Sequence, residues 1–230
     1  MIFNGFQKLT LLDFPGHVAC TLFTAGCNFR CPFCHNASLV THINDSEHFD
    51  EEYVLDYLNK RKDILDGVCI TGGEPLLHDE LECFIKKIKD LGYLVKLDTN
   101  GYSPDRLIKL VNDELIDYVA MDIKNSKEKY PLSSGIADLD VSRIEKSVAF
   151  LLENRVNYEF RTTVVKELHT LNDIESIAKW ISGAPRYFLQ NFIDTGDLIS
   201  DNMSSVDTQT IKIMQDIASK YVKNVETRGI

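Results

Sequence analysis

Short apolar segments with the composition of β-strands alternate with helix-periodic segments along most of the 230-residue chain. The strands are expected at 18–23, 67–71, 93–97, 117–123, 158–165 and 187–191. This alternation implies a parallel sheet with right-handed crossovers, and about six repeats are present where a closed barrel has eight. The sequence therefore predicts an α/β fold, a partial (β/α)6 TIM-like barrel, in a single domain of residues 1–230. Residues 1–16 are expected to form an N-terminal hairpin or cap.

Three cysteines lie within eight residues, directly after the first predicted strand. Cys27, Cys31 and Cys34 have the spacing C-x3-C-x2-C, and no fourth cysteine is close in sequence. A 4Fe–4S cluster takes one ligand per iron, and thiolates are its usual protein ligands. Three thiolates would therefore leave one iron open to a ligand that is not protein. In folds of this class the chemistry lies just beyond the carboxyl ends of the parallel strands, which is where this loop is expected.

Other roles for cysteine fit the pattern less well. A structural zinc site needs four ligands, and the nearest candidate for a fourth, His35, directly adjoins Cys34 and is badly placed to share one tetrahedral metal with it. A disulfide framework is not expected in a chain of this size without a signal peptide. The three remaining cysteines are each expected to be buried hydrophobic residues. They are Cys20, Cys69 and Cys83.

Polar segments follow several of the later strands. The second strand is followed by Gly72-Gly73-Glu74-Pro75, the third ends in Asp98-Thr99-Asn100-Gly101, and the fourth ends in Asp122-Ile123-Lys124. Taken alone, each is more typical of a turn or an ion pair than of a functional site. Because the ends of neighbouring parallel strands meet at one edge of a sheet, however, the carboxylates are expected to face the same pocket.

Together, the C-x3-C-x2-C loop and the GGEP, DTNG, MDIK and FRTTVV segments resemble the radical S-adenosylmethionine (SAM) superfamily. Within it they are most similar to glycyl-radical-enzyme activases, including the anaerobic ribonucleoside-triphosphate reductase activating proteins and the pyruvate formate-lyase activating enzyme. The resemblance implies the radical SAM fold, a 4Fe–4S cluster on the three cysteines, and SAM at the open iron. The remaining cysteines are too few for the additional ferredoxin-like domain of some activases.

The resemblance also implies roles for individual residues. A set of residues is expected to bind SAM. In this set the aromatic ring of Phe33 would lie near the adenine, and the GGE motif would hold the amino group of the methionine part. Asp98 and Asp122 would help to hold a monovalent cation beside SAM, for which oxygen ligands are suitable. Lys124 and Arg161 are the candidate catalytic residues, and His35, Asn36 and His169 are further candidates for the pocket. The full cofactor-binding set is Phe33, Gly72, Gly73, Glu74, Asp98, Thr99, Asn100 and Asp122.

The implied activity is reductive cleavage of SAM, followed by abstraction of a hydrogen from a glycine of a partner enzyme. That partner would be a glycyl radical enzyme, most specifically anaerobic ribonucleotide reductase, and the electron donor a protein such as flavodoxin or ferredoxin. Two alternatives remain. One is a radical SAM enzyme that acts on a small molecule, similar to 7-carboxy-7-deazaguanine synthase. The other is an iron–sulfur electron-transfer module, which would have no use for a SAM pocket.

Composition narrows the possible partners and location. The formal net charge of −10 argues against general binding to nucleic acid, which depends on a basic surface. No run of about 18 apolar residues is present, so no transmembrane helix is expected. The N-terminus lacks the features of a secretory signal, which favours a cytoplasmic location. Residues 125–139 form the longest stretch without a clear pattern and are expected to be an irregular lid or binding loop.

Overall fold

An eight-stranded sheet forms the centre of the structure, a computed structural model that describes residues 1–41, 47–194 and 196–229. The strands in these ranges are β1 (Ile2–Phe3), β2 (Gly5–Thr10), β3 (Ala19–Thr24), β4 (Phe49–Asp50), β5 (Gly67–Gly72), β6 (Leu94–Thr99), β7 (Tyr118–Asp122), β8 (Asn157–Val164), β9 (Tyr187–Asn191) and β10 (Val225–Arg228). The order in the large sheet is β10-β9-β8-β7-β6-β5-β3-β2. Every neighbouring pair from β3 to β10 is parallel.

Helices connect successive parallel strands. They are α1 (Ala37–Thr41), α2 (Glu51–Asn59), α3 (Leu81–Asp90), α4 (Pro104–Asn112), α5 (Tyr130–Ser134), α6 (Val141–Leu152), α7 (Leu171–Trp180) and α8 (Thr208–Ala218), with 3-10 turns at Pro75–Leu77 and Lys127–Lys129. Six strands, β3 and β5 to β9, are each followed by a helical crossover. Since β2 and β10 stand at opposite edges, the sheet is open. The predicted α/β fold with a partial (β/α)6 barrel is confirmed.

The core strands are apolar because they are buried on both faces, as parallel strands usually are. Residues 67–70 of β5 and 119–121 of β7 are fully or almost fully buried. On α3, Leu81, Phe84 and Ile88 form the face packed against the sheet. Cys83 lies on the opposite face of that helix and is exposed, so the expectation that it is buried is wrong. Cys20 and Cys69 are buried as predicted.

The first sixteen residues do not pair with one another. Strand β1 is antiparallel to β4, whereas β2 is antiparallel to β3 and forms one edge of the large sheet. Of the predicted hairpin or cap of residues 1–16, the hairpin is therefore wrong, because both strands pair with later ones. An antiparallel partner needs only a short reversal of the chain, which the turn-rich residues 11–18 provide.

Residues 125–139 are not an irregular loop. They contain the 3-10 turn at Lys127–Lys129 and helix α5, and Asn125 and Tyr130 are completely buried. The helix begins beside Pro131 and ends at Gly135, which has the left-handed backbone conformation typical of a helix C-terminus. The segment packs against the three-cysteine loop, because the amide of Arg30 donates to the carbonyl of Ser134 over 2.8 Å. It is therefore a support for that loop.

Replacing Gly135 with alanine is expected to cost more stability than the same change at Gly183. Both glycines have a positive φ (+70° and +90°), so both variants pay a conformational penalty of about 1 kcal/mol. Only at Gly135 would the new Cβ lie 2.1 Å from the carbonyl oxygen of Arg30, whereas nothing is within 4 Å at Gly183. Crowding of this kind adds about 1–3 kcal/mol. Chemical unfolding of the two variants measures the difference, and equal losses would show that α5 does not constrain the loop.

In the described ranges, no helix is long and apolar enough to cross a membrane.

Candidate active site

A polar cavity of about 330 Å³ lies at the carboxyl ends of strands β5 to β9. It is lined by all of the predicted cluster, cofactor-binding and catalytic residues except Glu74, and His169 does not reach it either. The three-cysteine loop, which follows β3, provides one side, and the ends of the strands provide the rest. Residues that are scattered over more than 130 positions of the sequence are thus brought to one place by the parallel sheet.

The three cysteines of the loop face this cavity with different exposure. Cys31 is buried, and Cys27 and Cys34 are half-buried. Burial raises the pKa of the Cys27 thiol to about 11 and that of Cys31 to about 12, and the ammonium of Lys124 acts in the opposite direction. Burial also raises the pKa of Cys34. A metal that binds these sulfurs as thiolates must therefore displace their protons.

Among the described residues, no group of three or more His, Cys, Asp or Glu side chains is gathered closely enough to hold a single metal ion. A 4Fe–4S cluster is different, because each thiolate binds a separate iron and the ligands stand further apart. Three thiols on the rim of an open cavity fit such a cluster by their chemistry, since sulfur is its usual ligand. The remaining cavity space, lined by glycines and charged side chains, fits a polar group beside it.

Backbone contacts hold the three-cysteine loop in place. The guanidinium of Arg30 donates to the carbonyl oxygens of Cys27 and Phe29 over 2.6 and 2.8 Å. From the other side, the carboxylate of Asp197 accepts hydrogen bonds from the amide and hydroxyl of Ser38, at the start of α1. The Arg30 side chain therefore bridges two carbonyls within the loop, and Asp197 holds the start of the helix that follows it.

The two glycines after β5 contact the same loop through the backbone. The amide of Gly73 donates to the carbonyl of Thr24, and a Cβ on Gly73 would lie 1.9 Å from the carbonyl oxygen of Gly26. Gly72 has φ +117°, which other residues rarely adopt. Only glycine allows this approach, so the GG pair is explained by contact with the cysteine loop as well as by its position on the cavity wall.

Glu74 is buried behind the cavity. Its carboxylate accepts hydrogen bonds from the amides of Leu76 and Asn100 and from the hydroxyl of Thr99, over 2.7–3.1 Å. It therefore ties the turn after β5 to the end of β6. These contacts position the turn and Thr99, and the contact of Glu74 with SAM that the resemblance implies stays a prediction.

The stability of the protein is expected to fall with rising pH because of Glu74. Burial raises the pKa of its carboxyl to about 7, against an ordinary value of 4.5, despite its three donors. Between these values the folded state binds more protons than the unfolded state, so the free energy of unfolding falls by about 3 kcal/mol and then levels off. Glu74→Gln lacks this titration and is the reference. Urea unfolding at several pH values should show that the free energy of unfolding of the wild type, relative to that of Glu74→Gln, decreases from pH 4.5 to 7. A difference that does not change with pH would contradict the raised pKa of Glu74.

Five charged side chains form a continuous network across β6, β7 and β8. Arg161 donates to Asp98 (Nη1–Oδ2 3.0 Å) and to Asp122 (Nε–Oδ1 2.9 Å). Lys124 Nζ lies 3.0 Å from the other oxygen of Asp122, and Lys96 donates to the other oxygen of Asp98. Burial raises the pKa of each carboxyl, but the neighbouring cations outweigh it and hold both pKa values below the usual range.

The predicted monovalent cation would therefore have to enter an occupied site. Each of the four oxygens of Asp98 and Asp122 already accepts from a cationic side chain, with three positive charges against two negative ones. The cation stays a prediction, and it would need to replace one of these contacts. Lys124 has a second neighbour, because its ammonium lies 6.0 Å from the ring centroid of Phe33, next to Cys34.

The remaining predicted residues divide into two groups. Asn100 donates to the side chain of Asn28 over 2.8 Å, and its amide nitrogen lies 3.8 Å from the sulfur of Cys27. His35 and Asn36 line the cavity. His169 does not: it is buried, and its ring nitrogens contact the carbonyls of Lys124 and Val165, so it is a structural residue of the core.

Several residues near the cavity were not predicted as site residues. Lys96 is 2% exposed and stands two positions before Asp98, on the same inward face of β6. The strand alternation could have revealed it, because a lysine at an inward position of a buried strand requires a partner. Thr163 and Gln190 also line the cavity. Asp197 carried no recognisable signal, since it acts from a loop distant in sequence.

Comparison with known proteins gives one family. A model of the radical SAM superfamily matches residues 21–181. A protein of Methanocaldococcus jannaschii named "Putative glycyl-radical enzyme activating enzyme" is 31% identical over 235 residues, covering 99% of this chain and 95% of the relative. The pyruvate formate-lyase-activating enzyme of Clostridium pasteurianum is 32% identical over 127 residues, covering 53% of this chain and 52% of the relative.

Two further similarities extend the comparison. The 7-carboxy-7-deazaguanine synthase of Methanocaldococcus jannaschii is 29% identical over 174 residues, covering 69% of this chain and 68% of the relative. Among solved structures, Streptococcus suis SuiB bound to S-adenosylmethionine matches with a TM-score of 0.68 at 16% identity, over 90% of this chain. The chain spans about half of that protein (49%), so the similarity concerns the fold of one part of it.

Proposed function

The chain belongs to the radical SAM superfamily, and from this premise we propose that it is an activase that forms a glycyl radical on a partner enzyme. Members of the superfamily use a 4Fe–4S cluster and SAM, so the chain is a radical SAM enzyme with these two cofactors. The observation that carries the activase proposal is the similarity to the Methanocaldococcus jannaschii relative, which extends over nearly the whole length of both chains. The alternative of an electron-transfer module is not proposed, because it leaves the SAM-binding cavity without a purpose.

In this proposal Cys27, Cys31 and Cys34 hold the cluster, and the cavity beside them holds SAM. When bound, the cluster and SAM would supply one-electron reductive cleavage of SAM to methionine and a hydrogen-abstracting 5′-deoxyadenosyl group. Gly72 and Gly73, which line the cavity without side chains, would leave room for the methionine part. Lys124 contributes a positive charge close to the three thiolates, which offsets part of their negative charge.

The rigid parts of the site serve the same activity. The charged network of Asp98, Asp122 and Arg161 forms a wall whose groups are already paired, so it needs little rearrangement when a ligand enters. The contacts of Arg30 and Asp197 support the loop and the helix that follows it. The protein therefore contributes geometry and exclusion of water, while the cofactors carry the difficult step.

The proposed partner is anaerobic ribonucleotide reductase, with flavodoxin or ferredoxin as the one-electron donor. In the complete reaction one electron enters, the Cα–H bond of a glycine breaks, and that hydrogen forms the new C–H bond of 5′-deoxyadenosine. The spin remains on the glycine Cα, where the peptide groups delocalise it. The net charge of −10 is consistent with a protein partner and unfavourable for a nucleic-acid substrate.

A second candidate is a small-molecule enzyme like 7-carboxy-7-deazaguanine synthase. It is favoured by the similarity to that enzyme of Methanocaldococcus jannaschii, which covers about two thirds of each chain. The two candidates make different demands on the cavity, because a small substrate must be enclosed whereas a peptide segment must enter from outside.

The experiment combines the reduced, cluster-loaded protein with SAM and purified anaerobic ribonucleotide reductase that contains α,α-dideuterated glycine. An activase transfers deuterium into 5′-deoxyadenosine and leaves an organic radical on the reductase, seen by electron paramagnetic resonance. The control omits the reductase, so that any 5′-deoxyadenosine formed there is unlabelled. Absence of both deuterium transfer and an organic radical in the complete mixture would overturn the activase proposal.

A further inference from the structure

Two neutral side chains on neighbouring strands of the cavity wall have no hydrogen-bond partner. Thr163 of β8 and Gln190 of β9 are directly paired in register, and both side chains face the cavity. Neither side chain forms a hydrogen bond with another residue in the part of the chain that the structure describes. Both are half-buried, so they are accessible from the cavity without being surrounded by bulk water.

Apart from the Thr71 hydroxyl on β5, the other polar side chains of the deeper wall are already engaged. Asp98, Asp122, Lys124 and Arg161 are paired with one another and with Lys96. On the opposite side, Asn100 is bonded to Asn28. The wall therefore has a charged part on β6 to β8, whose side chains already have partners. It also has a neutral part on β8 and β9, whose side chains can still form hydrogen bonds.

The side chains of Thr163 and Gln190 together offer donors and acceptors of hydrogen bonds and carry no charge. A glutamine amide presents one acceptor and two donors, and a threonine hydroxyl presents one donor and can accept. Such a pair matches a peptide group, which offers one carbonyl acceptor and one N–H donor and carries no charge. A carboxylate or phosphate would leave the glutamine oxygen unmatched, and the cation nearest to Thr163 along the strand, Arg161, already contacts two carboxylates.

We propose that Thr163 and Gln190 form a subsite that hydrogen-bonds to the main chain of the glycine segment of the partner enzyme. This inference rests on the proposed activase function and specifies how the substrate is held. The two residues would bind the peptide group next to the reacting glycine and so orient one Cα–H bond toward the SAM-binding side of the cavity. Because the contacts are to the main chain, they do not depend on the side chains that surround the glycine.

The test uses the double variant Thr163→Val and Gln190→Leu, which introduces apolar side chains of similar size and removes the hydrogen-bonding groups. The probe is the anaerobic ribonucleotide reductase with dideuterated glycine, and the readouts are the KM for the reductase and the Kd for SAM. Two lost hydrogen bonds predict a rise in that KM on the order of tenfold. A smaller change is expected for the Kd of SAM. Gln209→Leu, on the exposed surface of α8, is the matched control and should alter neither value.

Three outcomes decide the inference. A tenfold rise in the KM for the reductase with little change in the Kd of SAM supports the subsite. An unchanged KM, or a KM and a Kd of SAM that rise by the same factor, overturns it, because the pair would then have no role or would belong to the SAM pocket. Both results leave the activase proposal intact, since the wild-type protein would still transfer deuterium. Absence of transfer by the wild-type protein itself overturns the activase proposal and this inference with it.

Discussion

The variant Cys31→Ala is expected to lose the 4Fe–4S cluster and, with it, all reductive cleavage of SAM. Cys31 is the most buried of the three cysteines, at 7% exposure, and its neighbours provide no other sulfur that could replace it. With only two thiolates, two irons of the cube would lack a protein ligand. Iron and sulfide analysis after anaerobic reconstitution, the visible absorption of the cluster, and release of 5′-deoxyadenosine measure the effect.

The matched control is Cys83→Ala. Cys83 is exposed on the outer face of α3, far from the cavity in the fold, so this variant should keep the full iron content and the wild-type rate. A complete cube in Cys31→Ala would show that this residue is not a ligand. Stoichiometric zinc in the wild-type protein, with no bound sulfide after reconstitution, would reject the cluster itself.

Much of the site could be predicted because its signals are local. The cysteine spacing lies within eight residues, and the glycine and aspartate segments each follow an apolar run long enough to be recognised as a strand. A parallel sheet then brings these strand ends together without any further information, so Gly72, Asp98 and Asp122 share one cavity. Membership of the radical SAM superfamily and the open barrel were predicted on the same grounds.

What could not be predicted depends on contacts between distant segments. Helix α5 was missed because five residues are too few to show a helical period, although Pro131 and Gly135 are the usual residues at the two ends of a helix. The burial of Glu74 was missed because its three donors come from two different segments. In both cases the local sequence fitted a turn, and tertiary packing determined the role.

The charged network also depends on contacts between distant segments. Its member Lys96 was not predicted as a site residue. The resemblance supplied Asp98 and Asp122 as paired carboxylates but gave no information about the groups that neutralise them. In the structure Lys96 lies beneath Asp98 in the barrel interior, with Cys69 Sγ 3.8 Å from its ammonium. Because a buried carboxylate is costly without partners, Lys96 and Arg161 together keep Asp98 ionised.

Replacing Lys96 with methionine is therefore expected to destabilise the protein strongly. The variant keeps the length of the side chain but leaves one oxygen of the buried Asp98 without its partner. Breaking a buried ion pair costs about 3–5 kcal/mol, and the lower end is expected because Asp98 retains Arg161. The control is Lys86→Met on α3, whose pair with Glu82 is solvent-exposed and therefore contributes little to stability. Chemical unfolding of both variants gives the comparison, and similar losses would contradict a structural role for Lys96.

The same variant tests whether a monovalent cation binds beside Asp98. In the wild-type protein Lys96 and Arg161 occupy both oxygens, so SAM affinity and unfolding are expected to be the same in KCl and in tetramethylammonium chloride at equal ionic strength. In Lys96→Met one oxygen is freed, and K⁺ can bind there whereas the bulky organic cation cannot. The variant should therefore be more stable in KCl, by mass action. If instead the wild-type protein requires K⁺ for SAM binding, K⁺ must displace a side chain from this network. That result would contradict the expectation that the ammonium of Lys96 occupies the position of the cation.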